Sequence, residues 1–132
     1  MKFKKLILPV LMILTFSIFG NVDPIKINTE KSTISWVGKK IIGQHSGTIS
    51  IKSGELIMDD EKLTGGSFVI DMSSLSVEDL KAGQGKEKLE GHLNSDDFFG
   101  INTYPEATLS ITNVICIGKG QYKVQANITI KD

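Results

Sequence analysis

The chain has 132 residues with 15 basic and 15 acidic side chains and no arginine. That length supports one domain. Without arginine or a basic stripe there is no nucleic-acid footprint, and an anionic ligand would have to be met by lysine, hydroxyl or backbone N–H groups.

The first element is a leader. Lys2, Lys4 and Lys5 precede an almost wholly apolar run, Leu6–Phe19, and small residues follow at Ser17 and Gly20. This is the order of a secretory signal peptide over residues 1–20, and the run is shorter than the roughly 20 residues that span a bilayer. The remainder, 21–132, is expected to be one exported domain with no integral membrane span and a mild acidic excess. Export predicts a periplasmic or secreted bacterial protein. Cys116 then sits in an oxidising compartment without a partner cysteine. Its neighbours Val114, Ile115 and Ile117 predict a small buried core residue.

The next elements alternate with period two. Ile34 and Trp36 share a face, as do Ile49 and Ile51, with a bend expected at Ser53–Gly54. A short strand over Leu56–Met58 leads to a turn at Asp59–Lys62. Phe68, Ile70 and Met72 then share a face, and Leu109 alternates with Ile111 in the same way. Tyr122 to Ile130 is the clearest run, apolar on one side and polar on the other. One polar face at period two specifies antiparallel sheet with one side in water, and the Gly- and Asp-rich turns specify a barrel or sandwich. Two stretches read as helix, Ser76–Lys81 and Lys86–Leu93, the second because Leu89 and Leu93 stand four apart. Ala82–Gly85 between them reads as loop.

The chemistry-bearing residues each have a structural role open to them. Gly83-Gln84-Gly85-Lys86 lacks the leading strand and the Ser or Thr of a phosphate loop, so it reads as a solvated loop. His92, Asp96 and Asp97, with His45 as a third donor, lack the spacing of a zinc box. Asn94 or Ser95 instead caps a helical turn, with Asp96 and Asp97 at its positive end and Phe98 and Phe99 pinning it to the core. No serine stands in a nucleophile elbow, and Asp96 and Asp97 are sequence neighbours rather than a pair facing across a cleft. Asn127-Ile128-Thr129 is a formal sequon that reads as strand. No catalytic residue, metal site or cofactor is predicted.

Four segments in order carry a resemblance: Ile34–Lys40, Gly43–Gly47, Gly65–Met72, and Gly91–Phe99 with Tyr104–Ala107. Together they resemble the YceI-like family of exported, lipocalin-like proteins. The resemblance implies a mainly β fold, an extended antiparallel barrel with a short helical insertion at GHLNSDDFFGINTYP. It also implies non-catalytic binding of a long isoprenoid, such as a polyprenyl phosphate or quinone, inside the barrel. Trp36, Ile49, Ile51, Phe68, Ile70, Leu109 and Ile111 are the expected apolar lining. Charge and position suggest Lys81, Lys88 and His92 for the head group. The residues alone leave open whether these faces form a tunnel or a dry core. The rival reading is a dry-barrel structural or stress-response module that binds a partner through its surface. An enzyme would need a polar cleft with an acid–base pair, which the sequence does not offer. Relatives continue past an ITIKD-like strand, so the resemblance also implies a barrel left incomplete at the C-terminus. Such an open sheet is expected to pair with another chain, aggregate or bind ligand poorly, and a homodimer is left open.

Overall fold

The computed structural model describes residues 22–131; the leader predicted over residues 1–20 lies outside them. Six strands and one helix follow in chain order. They are β1 (Ile25–Lys26), β2 (Thr33–Lys39), β3 (Gln44–Asp59), β4 (Lys62–Val77), α1 (Lys86–Asn94), β5 (Glu106–Gly118) and β6 (Gln121–Thr129). All pairings are antiparallel. β1 and β2 lie along the same edge of β3, so they act as one broken strand, and the sheet meanders onward through β4 and β5 to β6. Among the described residues the sheet stays open, because β6 pairs only with β5 and β2 only with β3. The expected lipocalin-like antiparallel sheet with a helical insertion is therefore present, curled but not closed.

Register places the alternating apolar residues on one inner face. Ile34 pairs with Ile49, Ile51 with Ile70, Ile70 with Ala107, and Leu109 with Ile128. Ile49, Ile70, Met72 and Ala107 form the buried core, with Trp36, Leu75, Phe99 and Leu109 packed against it. Trp36 lies opposite Gly47, and its indole N–H donates to the Thr48 carbonyl at 3.2 Å. The ring is thereby fixed as wall while its polar atom is satisfied.

The largest departure of β4 from regular pairing is near its C-terminal end. Ser50 pairs with Asp71, but Thr48 pairs with Ser76, so Met72–Leu75 form an outpouching. Side chains replace the missing ladder bonds. The Ser50 N–H donates to Ser74 Oγ at 2.8 Å, Ser74 Oγ donates to the Asp71 carbonyl, and the Ser73 N–H donates to Asp71 Oδ1 at 3.0 Å. The Met72 N–H donates to the Pro105 carbonyl at 2.9 Å, so these bonds offset part of the ladder lost at the irregularity. The bend expected at Ser53–Gly54 is likewise a bulge at Lys52 inside a continuous β3.

Two expectations are corrected. Ser76–Lys81 is not helical: Val77 is a fully buried strand residue opposite Gly47, and the Glu78 N–H still donates to the Ser46 carbonyl at 2.9 Å. Sheet pairing overrides a local Ser-x-Glu-Asp signal that resembles a helix start. Cys116 is exposed, not buried. β4 pairs with β5 only as far as Ser110, so residues beyond it form a two-stranded ribbon with β6 and no third layer to pack on.

α1 begins where expected. Its N-cap position is Gly85, in left-handed backbone with φ 98°, and offers no side-chain cap. Glu87 reaches back instead, accepting from the Gly83 N–H at 3.0 Å, two residues before the N-cap position. After the helix, Ser95 does not cap a new one. Its hydroxyl donates to the His92 carbonyl at 2.6 Å, and a compact corner closes through Phe98 N–H to Ser95 O and Tyr104 N–H to Gly100 O.

Candidate functional site

One end of the curled sheet collects the C-terminal ends of β2, β4 and β6 and the N-terminal ends of β3 and β5. The helix and corner fold over this end and enclose an apolar cavity of about 320 Å³. Its floor is Ile34, Trp36, Ile49, Ile70, Met72, Leu75 and Ala107, its far wall Ile128 and Ile130, and its roof Leu93, Phe98 and Phe99. No charged side chain lines it. Phe98 and Phe99 meet edge-to-face with centroids 4.6 Å apart, so the corner forms a stiff apolar roof. The volume is at the low end of small-molecule sites, roughly 300–1,000 Å³.

Polar tethers outside the cavity hold the roof in place. Glu90 of α1 accepts from the Val77 N–H at 2.9 Å, using a donor the sheet leaves free at the end of β4. Lys86 reaches Ser76 Oγ at 3.4 Å and Glu90 at 3.8 Å. Asp79, in the linker before the helix, is clamped to the start of β3. It accepts from the Ser46 N–H at 3.0 Å, and its other oxygen is 2.8 Å from His45 Nδ1. The Ser46 N–H first, and His45 second, hold the Asp79 carboxyl below its ordinary range. A carboxylate with a depressed folded pKa stabilises the fold above its unfolded value of about 3.9. That contribution is lost as pH falls through the lower folded value. Asp79→Asn should therefore be less stable than the parent at neutral pH, and the gap should close below about pH 4. Urea midpoints measured from neutral to acid pH check this; a gap independent of pH would refute it.

The expected site residues are distributed as follows. Trp36, Ile49 and Ile70 line the cavity. Phe68 and Leu109 lie one row further along the inner face and border a second, more open space of about 540 Å³ at the other end. Lys26, Lys52 and Glu55 stand on that border and keep it wet, so the smaller cavity is the better apolar site. Ile51 is buried and Ile111 half-buried, and neither borders either space. Lys81, Lys88 and His92 are exposed on the linker and helix above the roof, outside the cavity wall. The expected lining did not include Ala107, Leu75 or the roof, nor Ile34, Met72, Ile128 and Ile130. Ile128 and Ile130 were legible, since they end the clearest alternating run. Among the described residues no cluster of three or more His, Cys, Asp or Glu side chains is placed to hold a metal. No described helix is long and apolar enough to cross a membrane.

An open antiparallel sheet curled around an apolar-lined cavity, with a helical corner as its roof, defines a lipocalin-like protein with an apolar chamber. The description "YceI-like domain" matches residues 25–132. The chain belongs to the YceI-like family. A search of curated proteins finds no match to it.

Proposed function

We propose that the protein is a non-catalytic, exported carrier that holds part of a long isoprenoid, of the polyprenyl phosphate or quinone type, in the cavity beneath Phe98 and Phe99. The observation that carries this reading is the all-apolar lining, which offers no polar group to transform a substrate and no charge to bind a hydrophilic one. Burial of an apolar tail contributes about 25 cal/mol per Å², so the tail supplies most of the affinity. A cavity of 320 Å³ accommodates a segment of such a chain, and the remainder follows the open side past Ile128 and Ile130. The head group then lies outside, where Lys81, Lys88 and His92 stand exposed near the roof.

Trp36 is the single tryptophan of the chain and forms part of the wall, which provides an internal reporter. Titration with a detergent-dispersed polyprenyl phosphate should shift its emission to shorter wavelength in a saturable manner, and a quinone of equal tail length should quench it. Organic extraction and mass spectrometry of protein recovered from its native compartment should yield the same lipid class. Ligand-free protein that takes up neither compound would move the assignment to a dry interaction module.

A further inference from the structure

The hairpin between β2 and β3 is short and well fixed. The Lys40 N–H donates to the Gly43 carbonyl at 3.1 Å, and Gly43 takes φ 89°, a left-handed conformation suited to glycine. Its tip carries Ile41 and Ile42, which are 103% and 84% exposed. Two exposed lysines, Lys39 and Lys40, precede them. A soluble surface gains nothing from two adjacent, fully solvated isoleucines on a rigid turn. The tip also stands at the cavity end of the sheet: Val37 and Gly38, at the base of the same hairpin, belong to the cavity rim. Phe98, 45% exposed, stands on that rim as well.

We infer that the Lys39–Gly43 hairpin is a membrane-docking finger that inserts Ile41 and Ile42 into an anionic bilayer and brings the cavity mouth to the lipid. The occupant follows from the chemistry. Two isoleucines on a narrow turn fit the disordered acyl boundary of a bilayer, whereas a protein partner would need a broader apolar face. The flanking lysines match anionic headgroups, although the domain as a whole is mildly acidic. Nearby charge does not cancel them, because Asp79 is already engaged by Ser46 and His45. Insertion rests on the exposure and charge of the tip alone; its use in loading the cavity rests on the carrier reading above.

The test places an environment-sensitive fluorophore at Ile42→Cys in a Cys116→Ser background, with a control label at Glu61→Cys on the β3–β4 turn at the opposite end. Vesicles of phosphatidylglycerol and phosphatidylcholine without isoprenoid are used, so failure of the carrier reading leaves this result untouched. The Ile42 label should move to shorter wavelength with vesicles while the Glu61 label does not. Replacing Ile41 by Ser should weaken the response about tenfold. Replacing Lys39 and Lys40 by Gln should cost about fivefold each on anionic vesicles and abolish the salt dependence. An equal response at both labels, which general adsorption or a leader-driven contact would give, overturns the inference. So does a concentration-dependent shift without vesicles, which would mark tip-to-tip association of two copies. Absence of any shift at the tip overturns it too. In each case Trp36 titration with dispersed isoprenoid reports separately on the cavity.

Discussion

Gly47→Ala should be the most damaging single-methyl change in the domain. A Cβ at this position falls within the Ser76 carbonyl, 2.9 Å from its carbon, and 2.7 Å from Trp36 Cζ2. Neither neighbour can yield cheaply. Ser76 is backbone at the end of β4, paired with Thr48. Trp36 is held by its bond to the Thr48 carbonyl and by the core. Relief must come from separating β3 and β4 where the outpouching already thins their ladder. Overpacking of this kind costs about 3 kcal/mol. For a domain of this size that is a fall of roughly 10–20 °C in melting temperature. Gly91→Ala is the counterpart. Gly91 lies inside α1, and nothing stands within 4 Å of an added methyl. It should raise stability by about 0.5–1 kcal/mol, because alanine removes the entropic weakness of a helical glycine. Urea denaturation of both variants tests the pair, and equal effects would show that Gly47 is not constrained as described.

The second large effect is on ligand loading. Gly38 lies on the same strand face as Trp36 and borders the cavity. A Cβ there meets Trp36 Cζ3 at 3.7 Å and the His45 carbonyl at 3.9 Å, ordinary contact distances. Gly38→Phe therefore places a ring at the mouth without forcing the backbone. Aromatic residues suit strands better than glycine, so the melting temperature should hold or rise. Bound isoprenoid per mole of protein, measured after extraction, should fall at least about tenfold. Full loading of a folded Gly38→Phe variant would remove the cavity from the mechanism, whatever lipid is carried.

Much of this could be read in the residues. Alternation in Ile34–Trp36, Phe68–Met72 and Tyr122–Ile130 assigned the inner face correctly, because the side-chain period of a strand is independent of its partners. Alternation does not show how much material lies over that face. Ile49 has polar sequence neighbours, Thr48 and Ser50, and Cys116 apolar ones, Ile115 and Ile117, yet Ile49 is core and Cys116 is exposed on a ribbon beyond the last residues of β4 that pair with β5. The lining was missed where it depends on strand irregularity. Leu75 reaches the cavity because four residues of β4 leave the ladder, and its position in the alternation carries no sign of this. Ala107 was missed for a different reason: its small side chain gives no hydrophobic signal, although its place opposite Ile70 leaves the space the cavity occupies. Lys39 and Lys40 belong to a resemblance that passes over Ile41 and Ile42, and only the fold shows that all four stand at the cavity end.

The outpouching at Met72–Leu75 has a further consequence. It lies between the long β3–β4 ladder and a final two pairs, Thr48–Ser76 and Gly47–Val77, and Ser73, Ser74 and Asp71 supply hydrogen bonds within it. Strand register on either side is thus uncoupled from the length of this segment. Adding or removing residues there would change the girth of the chamber while leaving the inner and outer faces of the sheet as they are. A single short segment can serve as a caliper for the width of the chamber, adjustable without redesign of the scaffold around it.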